Sequence, residues 1–314
     1  MTARRLDARL LAPRLLAHED LRGLAPEVWL ARLKRSVVER VQGGLTYPDF
    51  PSAEIQRQFV GSAYEDALDE AGKFYAFAQE AMADRAYKGS TGQGYLDFGC
   101  GWGRIGRFFL RDFDAKDMVG VDIDPDMVAF CAGADLPGRF ETIANGQPLP
   151  FADGQFRLIT AYSVFTHLPP HLFRAWLGEL LRVLAPGGQL VFTVEPPRFL
   201  DMVQAIEPDA DNAWMAALSV YKDQLPKLRA DLANEGIAYL ASGGGDYRGP
   251  DVYGEAVVTT KFVARQAAPH GGEVVRYIDD PTQFWQAAVV IRKRDPNAPR
   301  GFIARMIARL TGKA

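Results

Sequence analysis

The most regular alternation of apolar and polar positions lies between residues 94 and 195, where short apolar runs exchange with amphipathic ones. That alternation is the signature of a parallel sheet whose strands are joined by helices. The apolar runs predict strands over 94–98, 117–122, 139–143, 156–162 and 188–194, and the stretches between them predict helices around 103–112, 125–132 and 171–184. Pro125 behind Asp124 suits the first turn of a helix, and Pro186-Gly187-Gly188 reads as a turn feeding the next strand. Upstream, Ala53 to Ala83 places Ile55, Phe59, Leu68, Phe74, Phe77 and Met82 at helical spacing, with a break at Gly61 and Ser62 available as a cap. Residues 1–52 are rich in Arg and Leu and broken by Pro13, Pro26, Pro48 and Pro51, which predicts short helices and an irregular linker. This arm either packs on the body, meets a second subunit or helps to close the acceptor site. Downstream, 196–250 is longer than a strand-to-helix connection needs, with helical pieces over 211–234 and a flexible Ser242-Gly243-Gly244-Gly245 segment. Residues 257–267 then predict a helix, and Glu273 to Ile278 and Trp285 to Arg292 predict two strands.

Within the alternating region, GYLDFGCGWGRIGRFF (94–109) carries the densest chemistry. A strand, a glycine turn and a helix in that order form a cradle for a cofactor, because glycine lets the backbone turn tightly and a ligand approach it without meeting a Cβ. The helix start beyond it offers unpaired N–H groups to a carboxylate or phosphate. Gly101, Gly103 and Gly106 satisfy the bare dinucleotide pattern, which alone is weak. Asp97 tips the balance: a carboxylate two residues before the first glycine disfavours a pyrophosphate and suits a cation. S-adenosylmethionine carries an ammonium and a sulfonium and no phosphate. Val119 to Asp124 reads as a second strand ending in acid, and Asp122 lies where a carboxylate can bond ribose hydroxyls.

Here the chain resembles the class I S-adenosylmethionine-dependent methyltransferases, through LDFGCGWGR (96–104), VGVDIDPDM (119–127), LPFADGQFRLITAYSVFTHL (149–168) and LLRVLAPGGQLVFTV (180–194). The resemblance implies an α/β fold: a Rossmann-like seven-stranded, mostly parallel sheet with an antiparallel last strand. A helical N-terminal extension and an insertion after the fifth strand complete it. The implied organisation is an N-terminal extension and cofactor-site roof (1–92), a cofactor-binding core (93–195), an acceptor-shaping insertion (196–255), completion of the sheet (256–295) and a basic tail (296–314). It also implies S-adenosylmethionine as cofactor, bound by Asp97, Gly99, Cys100, Gly101, Trp102, Gly103, Asp122, Ile123, Asn145, Gly146 and Tyr162. Asp97 would hold the ammonium through the loop. Asn145 stands where the family often has an acid for the adenine amino group; its amide oxygen can accept that bond, or Asn145 simply forms a turn.

Composition narrows the reading further. The 314 residues carry a net charge of −3, which gives no bulk attraction to nucleic acid. Two cysteines, Cys100 and Cys131, exclude a disulfide framework and fit a reducing compartment, and the four histidines show no metal-ligand spacing with them. No apolar run reaches transmembrane length, so a cytoplasmic location is expected. After Pro299, Phe302, Ile303, Met306, Ile307 and Leu310 share a helical face among basic residues, which suits either an anionic membrane surface or a protein surface.

His167, in the loop after the fourth strand, stands where the methyl group should project; it serves as a base toward a hydroxyl or bonds backbone and shapes the loop. Asp246, Tyr247 and Tyr253 of the insertion are candidate acceptor contacts. The expected activity is O-methylation of a saccharide, glycolipid or other small metabolite. A nicotinamide-dependent oxidoreductase and a non-catalytic cofactor-binding module are the alternatives.

Overall fold

A computed structural model describes residues 12–296, apart from 85, 86, 88, 89, 91, 208–212, 245 and 246. The amphipathic tail and Asp246 therefore lie outside the described residues. The N-terminal part contributes α1 (Pro26–Ser36), α2 (Ala53–Val60) and α3 (Tyr64–Met82). The alternating region follows as β1 (Gly94–Phe98), α4 (Gly106–Phe109), β2 (Met118–Asp122), α5 (Pro125–Gly133), β3 (Arg139–Thr142), β4 (Phe156–Ala161), α6 (Pro170–Val183) and β5 (Leu184–Val194). The insertion supplies α7 (Phe199–Ala205), α8 (Ala213–Ser219), α9 (Leu225–Glu235), β6 (Ile237–Leu240) and β7 (Glu255–Val258), and the chain ends its sheet with α10 (Thr260–Ala267), β8 (Gly272–Ile278) and β9 (Ala287–Lys293).

Seven strands form one sheet in the order β8-β9-β5-β4-β1-β2-β3. β9 runs antiparallel to both of its neighbours, while the pairs from β5 to β3 are parallel. The chain winds from β1 outward to β3, then returns to β4 on the opposite side. The crevice beyond the carboxyl ends of β1 and β4 is thus the topological switch point, where such sheets take their ligands. Strand periodicity sends alternate residues to two apolar layers. Leu96, Phe98, Ile159, Leu190, Phe192 and Val289 pack under α6 and α10, whereas Tyr95, Leu158, Val191 and Val290 pack under α1, α3 and α4. On α6, Leu172, Phe173, Trp176, Leu177, Leu180 and Leu181 make the buried stripe that the sequence pattern requires.

Four local details depart from the sequence expectations. The helix expected over 103–112 is only α4, because the glycine-rich segment before Gly106 remains in turns. β5 begins at Leu184, so the Pro186-Gly187-Gly188 turn lies within the strand's span; Gly187 has φ 75° and the register against β4 shifts there. Glu255 to Val258 pairs with β6 as a hairpin, and helix α10 starts only at Thr260, where Thr259 caps it. The break at Gly61 is real, with φ 74°, but Ser62 does not cap α3: its hydroxyl is buried without a partner, and Ser52 instead caps α2. The arm packs on the body over its described part, with Trp29 buried and its indole N–H donating to the Phe108 carbonyl at 2.9 Å. No helix among the described residues is long and apolar enough to cross a membrane.

Candidate active site

A pocket open at its mouth occupies the switch-point crevice. Its floor is the turn after β1. Gly99 and Gly101 adopt φ 73° and 49°, and a Cβ on Gly99 would stand 2.3 Å from a Val164 methyl. At Gly101 the same construction meets only Phe59, at 3.8 Å, so the backbone there can be approached closely. Gly99, Cys100, Gly101, Trp102, Asp122, Ile123, Asn145, Tyr162 and His167 line this pocket. Gly103 and Gly146 lie off the wall: Gly103 makes room for Leu136, 2.2 Å from where its Cβ would stand, and Gly146 completes the turn after Asn145 with φ 71°.

Asp97 does not reach the pocket directly. It lies beneath the loop, where one oxygen accepts from the Gly106 N–H at 2.9 Å and the other from the Thr160 hydroxyl at 3.1 Å. The period of β1 turns it away from the crevice, so it braces the glycine turn and reaches a ligand only through that backbone. Burial raises its pKa to about 7 against the lowering effect of those two bonds. Asp122 is the carboxylate that meets the pocket. Its Oδ2 accepts from Gly101 N–H at 2.8 Å and its Oδ1 from Asp124 N–H at 3.0 Å, which leaves a further lone pair on each oxygen. Burial raises its pKa, opposed by those backbone bonds and by Arg248. Cys100 is held as a thiol by its hydrogen bond to Cys131 and by burial, both of which raise its pKa and leave it unsuited to nucleophilic attack.

Several wall residues were not singled out from the sequence. Arg104 follows the glycine loop and is anchored by Glu70 of α3 at 3.2 Å, with its guanidinium over the Tyr162 ring. Phe59 and Val60 differ in this respect, since they belong to the segment expected from the sequence to roof the site; they close the pocket from α2. Val164, Leu168, Trp176 and Val252 add an apolar wall.

The His167 end is built by the insertion. The Gly254 N–H donates to the His167 carbonyl at 3.0 Å, Ala256 N–H to the Thr166 carbonyl at 2.6 Å and Val258 N–H to the Glu195 carbonyl at 2.9 Å. β7 is thereby zipped to the loop after β4 and to the end of β5. This places Glu255 Oε2 at 3.3 Å from His167 Nδ1, which also lies 2.9 Å from the Gly254 carbonyl. Glu255 is buried and its other oxygen accepts from the Trp214 indole at 2.8 Å. Tyr253 stacks on the His167 ring with centroids 4.3 Å apart, whereas Tyr247 is exposed and off the wall. Nδ1 is engaged on the protein side, and Nε2 is 3.5 Å from the hydroxyl of Ser163, a wall residue held at φ 57°. Burial lowers the His167 pKa, but the charge and hydrogen bond of Glu255 outweigh it and the net shift is upward. Glu195, buried beside this pair, is pushed to about 8 by burial and by Glu255.

The geometry fits an adenosyl sulfonium: an approachable glycine backbone, a carboxylate with unused lone pairs for hydroxyls, an amide at Asn145 and apolar side chains at Ile123 and Ile143. Residues 96–188 match a family model described as a methyltransferase domain. Among characterised relatives, a fatty-acid O-methyltransferase from Mycolicibacterium smegmatis is 32% identical over 109 residues, 34% of this chain and 39% of that protein. A demethylmenaquinone methyltransferase from Thermus thermophilus is 35% identical over 106 residues, 32% of this chain and 47% of that protein. The chain thus spans less than half the length of these relatives. A solved S-adenosylmethionine-dependent methyltransferase from Clostridium acetobutylicum aligns over 71% of this chain and 92% of its own, at 13% identity and a TM-score of 0.48. Residues 96–188 are thus a methyltransferase domain, and the seven-stranded sheet and glycine turn that hold them resemble those of the class I S-adenosylmethionine-dependent methyltransferases.

Proposed function

We propose that the protein transfers a methyl group from S-adenosylmethionine to an oxygen of a small acceptor with a largely apolar body. The observation that carries this reading is His167 on the wall of the same pocket as the Asp122 carboxylate, with buried Glu255 behind its ring at 3.3 Å. S-adenosylmethionine, when bound, supplies an electrophilic methyl group on a sulfonium. Asp122 holds the ribose hydroxyls, the loop amides and Arg104 meet the methionine carboxylate, and Asn145 receives the adenine amino group. His167 Nε2 takes the acceptor's hydroxyl proton while Glu255 fixes the tautomer with Nδ1 protonated and stabilises the imidazolium. Phe59, Val60 and Tyr253 exclude water from the line of attack, and alignment of this kind supplies much of the barrier reduction.

Of the acceptors expected from the sequence, a glycolipid or an apolar metabolite suits the Val164, Leu168, Trp176 and Val252 wall better than a bare saccharide does. The relatives named for fatty-acid and demethylmenaquinone substrates support the same choice. The nicotinamide alternative is not favoured, since the family model and these relatives are methyltransferases. The test incubates protein and methyl-labelled S-adenosylmethionine with separate lipid, quinone and polar extracts. Label in a lipid or quinone product, absent with His167→Ala, is expected; label confined to the polar extract would refute the apolar acceptor.

A further inference from the structure

Arg248 is a charged wall residue to which the reading above gives no role. It belongs to the insertion, in a turn closed by backbone bonds from Gly244 N–H to the Arg248 carbonyl at 2.7 Å and from Tyr253 N–H to the Gly249 carbonyl at 2.8 Å. Its guanidinium lies 4.9 Å from the Phe59 ring centre and 5.7 Å from that of Tyr253, the residue stacked on His167. The side chain is mostly buried, and its Nε is wholly buried without a hydrogen-bond partner. Two carboxylates are near but take no bond from it. Asp124 Oδ2 is 4.0 Å away, beyond hydrogen-bond range, and the Asp122 oxygens already accept from backbone. Arg104, the other guanidinium on the wall, bonds Glu70 and the Ala67 carbonyl through one nitrogen and is assigned above to the methionine carboxylate.

A desolvated guanidinium nitrogen without an acceptor is costly, and the fork it belongs to matches a carboxylate. We infer that Arg248 recognises a carboxylate on the acceptor, so that the substrate is a hydroxy acid with an apolar body. This inference rests on the methyltransferase reading and specifies its acceptor. Phe59 and Tyr253 hold the guanidinium plane, Arg248 anchors the carboxylate, and the hydroxyl is left to His167 on the same wall. Arg248 is thereby a specificity residue, supplied by the insertion together with Glu255.

The test loads the full chain with S-adenosylhomocysteine and titrates matched probes by calorimetry: 12-hydroxydodecanoate against 1,12-dodecanediol, and 4-hydroxybenzoate against 4-hydroxybenzyl alcohol. At least one acid should bind about tenfold or more tightly than its neutral twin, as expected for a charge-assisted pair. Arg248→Gln should abolish that preference and Arg248→Lys restore part of it, with affinity for S-adenosylhomocysteine unchanged in both. Equal binding of acid and alcohol, binding of neither, or loss of S-adenosylhomocysteine affinity in Arg248→Gln would overturn the inference. Failure of the wild-type protein to bind S-adenosylhomocysteine would instead sink the methyltransferase reading itself.

Discussion

Replacing Asp122 with Ala probes the cofactor end of the crevice. In the native arrangement each oxygen of this carboxylate accepts one backbone N–H, from Gly101 or from Asp124, and retains a lone pair facing the pocket. A ribose with two hydroxyls can use both. Hydrogen bonds to a charged acceptor contribute roughly 1.5–3 kcal/mol each, and water entering the truncated site recovers part of that. The net loss for two bonds is then about 2–4 kcal/mol, a weakening of roughly 30- to 1,000-fold. The Gly101 N–H also loses its acceptor, so the glycine turn itself relaxes and the upper part of that range is expected. Asp122→Asn keeps a carbonyl oxygen for Gly101 but offers an amide where Asp124 N–H needs an acceptor, and it should fall between wild type and Ala. Calorimetry with S-adenosylhomocysteine reads the effect, and circular dichroism confirms that the variants are folded. Affinity within about threefold of wild type in folded Asp122→Ala would refute the ribose assignment.

Two further outcomes concern the His167 end. The base must be neutral to accept a proton, and Glu255 raises the His167 pKa against the lowering effect of burial, so kcat/KM should rise with pH through a limb above the ordinary histidine value near 6.5. Glu255→Gln removes the carboxylate and leaves burial, moving that limb to lower pH while the plateau rate drops; His167→Ala should lose turnover but keep S-adenosylhomocysteine affinity. A limb unmoved by Glu255→Gln would contradict the pairing. For Glu195, raised from 4.5 to about 8, the folded chain holds a proton that the unfolded chain has released, so its stabilising contribution is full below pH 4.5 and is lost as pH rises through about 8. Thermal midpoints measured between pH 5 and 8.5 (about the span of that shift) should therefore fall less steeply in Glu195→Gln than in wild type; equal slopes would contradict the burial of an ionisable group there.

What the sequence discloses about this molecule is local, and what it conceals is long-range. The turn after β1 and Asp122 are legible because glycine spacing and strand-terminal acids act within one unit of a few dozen residues. His167 is visible for the same reason, sitting just past a strand end. Asp97 is visible as an acid at a strand end, whereas the Gly106 and Thr160 donors that take both its oxygens and hold it under the loop are not. Glu255 is out of reach, because it joins His167 only after β7 has zipped to the loop across 87 intervening residues, a pairing that no periodicity announces. Arg248 likewise reaches the pocket from a segment that reads as a Gly-rich linker. Val257 and Val258 show how a short apolar run is ambiguous: their pattern joins smoothly to α10, and only the partner strand at Ile237–Leu240 makes them strand.

The central claim is that an adenosyl sulfonium, and not a dinucleotide, occupies the crevice at the ends of β1 and β2. Titration of the wild-type protein with S-adenosylhomocysteine and, separately, with NAD tests it most directly. Saturable binding of S-adenosylhomocysteine with none of NAD is the expected result; binding of NAD, or of neither, would contradict it.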